Sequence, residues 1–120
     1  MYQTYLITGA TGFLGKAVLQ LLLAHSCRVL ALVMDKDPLA YTIPENVTVF
    51  CGDLTDKDTL RSFFAAGGDN FCVLHCAGIV SIASKPDEAL YAVNVQGTRN
   101  IVDLCREFGA SRLIYVSSVH

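Results

Sequence analysis

Thr8-Gly9-Ala10-Thr11-Gly12-Phe13-Leu14-Gly15 is the stretch on which the fold turns. Its glycines follow G-x-x-G-x-x-G. It comes directly after the short apolar run Tyr5-Leu6-Ile7-Thr8. It opens onto Phe13 to Ala24, where Leu14, Val18, Leu21 and Leu22 recur with a helical period. A strand that turns over a glycine into a helix begins a βαβ unit. Gly9 suits the tight turn, Gly12 lets an anionic group approach the backbone, and Gly15 lets the helix lie close to the strand. The first helical turn carries N–H groups with no acceptor inside the helix, and those of Phe13 and Leu14 are the ones predicted to face phosphate.

Working outward, the pattern of strand then helix repeats. Arg28 to Val33 reads as a second buried strand, and Met34 to Asn46, broken by Pro38 and Pro44, reads as a loop. Val47 to Cys51, β-branched and aromatic, reads as the third strand. Thr55 is placed to cap the next helix, with Asp58 three residues on as the capping-box acid. Leu60, Phe63 and Phe64 form that helix's apolar face, and Gly67-Gly68 ends it. Phe71 to Cys76 is a fourth strand. Pro86 suits a first helical position, followed by the acids Asp87 and Glu88. The long helix it starts is predicted to end at Phe108 before Gly109, with Gly97 as its weak point against the sheet. Arg112 to Val116 is the fifth strand. Five buried strands alternating with helices predict a doubly wound α/β domain of the Rossmann type. Right-handed crossovers then give the strand order 3-2-1-4-5, with the ligand crevice where strands 1 and 4 end side by side.

Composition agrees. The 120 residues suffice for one domain and one core. Nine basic against eleven acidic residues leave a net charge of −2, so no nucleic-acid partner is expected. Mean hydropathy is high at +0.44, yet no apolar run reaches the length of a membrane span, which places the apolar residues inside a sheet covered on both faces. The start, Met1-Tyr2-Gln3-Thr4, carries no signal-peptide pattern. Five cysteines, odd in number and widely spaced, read as reduced core residues of a cytoplasmic protein. Cys72 and Cys76 share one strand without further ligands, so no metal site is predicted.

The spacing of T-G-A-T-G-F-L-G resembles the extended branch of the short-chain dehydrogenase/reductase family, the NAD(P)-dependent epimerase/dehydratase and dihydroflavonol-reductase-like proteins. Four further segments carry the resemblance across the chain: Gly52-Asp53-Leu54, His75-Cys76-Ala77-Gly78, Asn94-Val95-Gln96-Gly97-Thr98 and Tyr115-Val116-Ser117-Ser118. The resemblance implies that Gly9, Thr11, Gly12, Phe13, Leu14 and Gly15 hold the cofactor's phosphates. It implies that Asp53, with Leu54, meets the adenine, although Asp53 also reads as a turn residue or a cap for the next helix. Ala77 and Gly78 would run along the cofactor by their backbone, while the side chain of His75 reads as buried and satisfied. Asn94 joins the cofactor set, though a structural role at a helix irregularity suits it better. Only one of Ser117 and Ser118 can face the cleft; the family pattern selects Ser118 as the catalytic serine, with Ser117 the alternative.

In that family a tyrosine, activated by a lysine four residues on, moves the proton. Tyr-x-x-x-Lys is absent here: the five tyrosines are followed four positions later by Leu6, Gly9, Glu45, Val95 and Val119. The chain thus reads as the N-terminal part of a longer protein, without turnover of its own. The implied parent is an oxidoreductase or epimerase acting on an alcohol, ketone or nucleotide sugar. The alternative is a non-enzymatic NADP(H) sensor of the same fold. The acid that NAD-preferring members carry at the end of strand 2 is replaced by Val33, and the arginine of NADP-preferring members by Met34. Asp35 and Lys36 follow, and Lys36 tips the expectation slightly to NADP. The resemblance also implies a homodimer through the long helix.

Overall fold

The structure, a computed structural model, describes residues 2–76 and 88–116, with the side chains of 88–93 left aside. Its order is β1 (Thr4–Thr8), α1 (Phe13–Leu23), β2 (Arg28–Val33), β3 (Thr48–Cys51), α2 (Arg61–Ala65), β4 (Phe71–His75), α3 (Glu88–Phe108) and β5 (Arg112–Tyr115). The five strands form one parallel sheet in the order β3-β2-β1-β4-β5. That is the predicted Rossmann arrangement.

Alternation along each strand divides the apolar runs between two cores. Leu6, Leu30, Phe71 and Val73 face α2 and α3, where they meet Leu60, Phe63, Phe64, Ile101 and Leu104. Ile7, Val29, Ala31, Cys72 and Leu74 face the α1 side, with Ala10 and Leu19. The central strands β1, β2 and β4 are buried on both faces, which accounts for their unbroken hydrophobicity. The outer strands differ from the expectation of five buried strands. β3 exposes Thr48, Val49 and Cys51, and β5 exposes Arg112, Ile114 and Tyr115, because each stands at an edge of the sheet. Cys51 is therefore exposed rather than a core residue; of the five thiols, all free, only that of Cys72 is fully buried.

Local departures have local causes. The loop after β2 contains one turn of 3-10 helix, Ala40–Thr42, closed by the Thr42 hydroxyl donating to the Leu39 carbonyl. The segment before α2 is capped by Asp56, which accepts from the Asp58 N–H, and not by Thr55. Thr55 is taken up by Asp53, whose Oδ1 accepts from both its N–H and its hydroxyl, so the first turn, Lys57–Leu60, is 3-10. Gly97 does not weaken α3, which runs unbroken through it. A Cβ there would stand 3.1 Å from the Leu54 Cβ, so Gly97 serves contact with the loop after β3 rather than with the sheet. Pro86 and Asp87 lie outside the described residues.

Candidate functional site

The strand ends of β1 and β4 are register partners, Thr8 opposite His75, and the chain leaves β1 there into the glycine loop. Gly9 has φ +73°, the left-handed conformation that favours glycine, which turns the chain toward α1. The Gly12 N–H closes the turn by donating to the Gly9 carbonyl at 3.0 Å. Gly15 is the point of closest approach between helix and strand: a Cβ there would lie 1.8 Å from the Gly9 oxygen. Gly12 is the N-cap of α1, extended, with no side-chain cap, and the first turn holds no acid. The Lys16 N–H finds the Gly12 carbonyl, so the turn before it, Phe13 to Gly15, presents its N–H groups outward at the positive end of the helix dipole. Phe13 is almost wholly exposed and Leu14 half so. The backbone thus forms a cradle with no side-chain cap, and its narrowest point admits only glycine.

The switch point between β1 and β4 is polar and hydrogen-bonded. His75, 2% exposed, has Nδ1 2.7 Å from the Thr8 hydroxyl and Nε2 3.3 Å from the Thr98 hydroxyl on α3, and its ring meets the Tyr115 ring edge-on. Burial lowers its pKa to about 4, so the ring is neutral at pH 7. This is the satisfied buried histidine expected from the sequence.

On the β2 side, Lys36 is exposed and has φ +62°, the left-handed region that a lysine seldom occupies. Met34 and Asp35 are exposed beside it, while Val33 is buried. Thr11 does not stand free in the loop: its hydroxyl donates to Asp37 Oδ2 at 2.8 Å. Asp37 was not singled out by sequence reasoning, since loop aspartates are common and nothing local marks this one.

Asp53 is exposed at the end of β3, where the Thr55 hydroxyl first, then the Thr55 N–H, hold its carboxyl below the usual carboxylate range. It is a turn residue in this state, with one oxygen committed. Leu54 is half-buried against the α3 side. Its carbonyl accepts from the Asn100 amide at 2.7 Å, and Gln96 donates to the Asn100 oxygen. Asn100, 3% exposed, is a second residue that sequence reasoning missed. A buried asparagine in the middle of a helix, where propensity disfavours it, was the available signal. Lys57 bonds Asp103 at 2.8 Å and Arg61 pairs with Glu107, so the segment after β3 is tied to α3 along its length. Asn94 is half-buried near the start of the described face of α3. Ala77, Gly78, Ser117 and Ser118 lie outside the described residues. The N–H of Val116, the last described residue of that segment, donates to the His75 carbonyl, so β5 ends beside β4.

The loop, the switch point between β1 and β4, and the turn after β3 thus all lie along the C-terminal edge of the parallel sheet. Residues 6–120 match the model of one protein family. The chain belongs to the 3-beta hydroxysteroid dehydrogenase/isomerase family. Within the reach of that family, the type 7 3 beta-hydroxysteroid dehydrogenase of Rattus norvegicus is 36% identical over 122 residues, covering 96% of this chain and 35% of its own length. A putative dihydroflavonol 4-reductase of Synechocystis is 35% identical over 99% of this chain and 34% of its own length. Among solved structures, the UDP-glucose 4-epimerase of Thermus thermophilus, in complex with NAD, superposes with a TM-score of 0.85 at 30% identity, over 96% of this chain and 37% of that one. The chain therefore spans about a third of the length of the family relatives it matches. The resemblance to extended short-chain dehydrogenases and epimerases holds in both sequence and fold.

Proposed function

We propose that this chain is the nicotinamide-dinucleotide-binding domain, residues 1–120, of a hydride-transferring oxidoreductase or epimerase. The observation that carries the reading is the uncapped N-terminus of α1, reached through Gly9 and pressed so close to the β1 turn that Gly15 admits no side chain. The cradle fits a pyrophosphate: N–H donors, helix dipole and a glycine at each close approach converge there. Gly9, Thr11, Gly12, Phe13, Leu14 and Gly15 would hold the phosphates. Asp53 and Leu54 would meet the adenine, and Ala77, Gly78 and Asn94 would lie along the cofactor. The bound nicotinamide supplies hydride transfer. Ser118, with Ser117 as the alternative, would orient the substrate oxygen, an alcohol, ketone or sugar carbon being the group acted on. Lys36 is the group that would favour a 2′-phosphate and hence NADP.

In this reading the 120-residue chain binds cofactor but does not turn over, because no tyrosine–lysine pair is present to move the proton, a function that contributes about 10²–10⁴-fold. The test is to follow NADH and NADPH fluorescence on titration into the chain, and to assay the same sample for reduction of an added ketone, with loss of NAD(P)H as the readout. Saturable binding without turnover supports the reading. Turnover would place the proton-transfer machinery within these residues, and absence of binding would refute the cofactor assignment.

A further inference from the structure

The carboxylate of Asp37 stands against the loop that should greet a pyrophosphate. As a charge it opposes an anionic ligand there, so its contribution must come from what it holds. Asp37 Oδ2 accepts from the Thr11 hydroxyl at 2.8 Å, and Oδ1 accepts from the Leu39 N–H at 2.9 Å. Its own N–H donates to the Met34 carbonyl, and its carbonyl accepts from Ala40. Asp37 is therefore fixed at both backbone groups and both carboxylate oxygens. It joins two segments 26 residues apart, the glycine loop and the loop after β2. A carboxylate accepts from both the hydroxyl and the amide N–H and carries the charge that strengthens both bonds; an asparagine keeping the Leu39 bond through its oxygen would have to donate its NH₂ to the Thr11 oxygen, a neutral bond of reversed direction. The glycine loop needs such a tie. Gly9 and Gly12 give it wide backbone freedom, and Thr11 is the one residue between them whose side chain can hold it from outside.

We propose that Asp37 is a positioning residue of the dinucleotide site, holding the phosphate loop in its binding shape through Thr11. This rests on the dinucleotide reading above. A loop ordered in advance does not spend binding energy on ordering, so loss of the clasp appears as weaker binding. The bond is charge-assisted and half-buried, so its removal is expected to weaken dinucleotide binding about tenfold.

The experiment titrates NADH into wild type, Thr11→Val, Thr11→Ser, Asp37→Ala and the Thr11→Val/Asp37→Ala double variant of the same 120-residue chain. Thr11→Val keeps the shape and loses the hydroxyl. It should bind about tenfold more weakly at an unchanged melting temperature. Thr11→Ser should bind within about twofold of wild type, a recovery that general loosening of the loop would not give. The double variant should bind no more weakly than Asp37→Ala, because both substitutions break one bond. Hydrogen exchange without ligand should show faster exchange of the Gly12 amide in Thr11→Val. Wild-type affinity in Thr11→Val, or fully additive losses in the double variant, would overturn the clasp while leaving the dinucleotide reading intact. A wild-type chain that fails to bind NADH or NADPH would remove the dinucleotide reading itself, and the clasp with it.

Discussion

Thr8 and His75 face each other across the two central strands, with the Thr8 hydroxyl 2.7 Å from His75 Nδ1, at the C-terminal ends of both strands. The second ring nitrogen is within reach of Thr98, and the ring edge meets Tyr115. One neutral imidazole therefore joins β1, β4, α3 and β5 under the candidate cofactor site.

That burial makes stability depend on pH. The His75 pKa falls from 6.5 in the unfolded chain to about 4 in the folded one, so the unfolded state binds the proton first. Its stabilising contribution is complete above about pH 6.5 and is lost progressively down to pH 4, a loss of about 3 kcal/mol. Urea unfolding at pH 7 and pH 5 should show this decline in wild type. The His75→Asn variant, less stable at pH 7, should show a shallower one. Equal slopes in the two proteins would mean that His75 does not titrate in this way.

Gly15→Ala should be damaging although alanine is the better helix former by about 1 kcal/mol. The new methyl would meet the Gly9 oxygen at 1.8 Å and the Gly9 carbonyl carbon at 2.6 Å, so either the helix or the turn must move. Overpacking of this kind costs about 1–3 kcal/mol. Thermal unfolding should register that loss, and NADH titration should show weakened binding in the molecules that remain folded.

Asn100→Ala should leave the Leu54 carbonyl without its amide partner. A buried acceptor deprived of its donor costs about 1–3 kcal/mol. The loss should be concentrated in the segment after β3, where limited proteolysis between residues 52 and 56 should accelerate. A variant as resistant there as wild type would show that Lys57–Asp103 and Arg61–Glu107 suffice to hold the segment.

Lys36→Ala should weaken NADPH binding more than NADH binding, by a factor of about 3 to 10 for one exposed charge near a phosphate. Parallel titrations read the ratio directly. Equal losses, or none, would remove Lys36 from cofactor discrimination.

Much of this was legible in the sequence because it is encoded locally. The glycine spacing after Thr8, the apolar runs and the breakers Pro38, Pro44 and Gly109 place every strand and the start of α1 to within about a residue. Parity along β1, β2 and β4 then separates the two cores. What was not legible depends on contacts made across the fold. Cys51 is as apolar as its neighbours, and only its place on an edge strand exposes it. Thr55 has the chemistry of a cap, but Asp53 competes for it and Asp56 takes the cap instead. Asp37 and Asn100 act on partners 26 and 46 residues away, and no short-range pattern announces either bond.

The most direct measurement is a calorimetric titration of NADH and NADPH into wild type and Gly12→Asp. Gly12 already has N-cap geometry, φ −79° and ψ 171°, and a Cβ there would sit 3.4 Å from the Gly9 oxygen, an ordinary contact. Aspartate is a good N-cap, so the melting temperature should hold or rise slightly. Its carboxylate would take the first-turn N–H groups and repel a pyrophosphate, so binding should weaken at least about a hundredfold. Saturable binding by wild type, lost in a folded Gly12→Asp, is the result this account predicts. Undiminished affinity in that variant, or no binding by wild type, would contradict it.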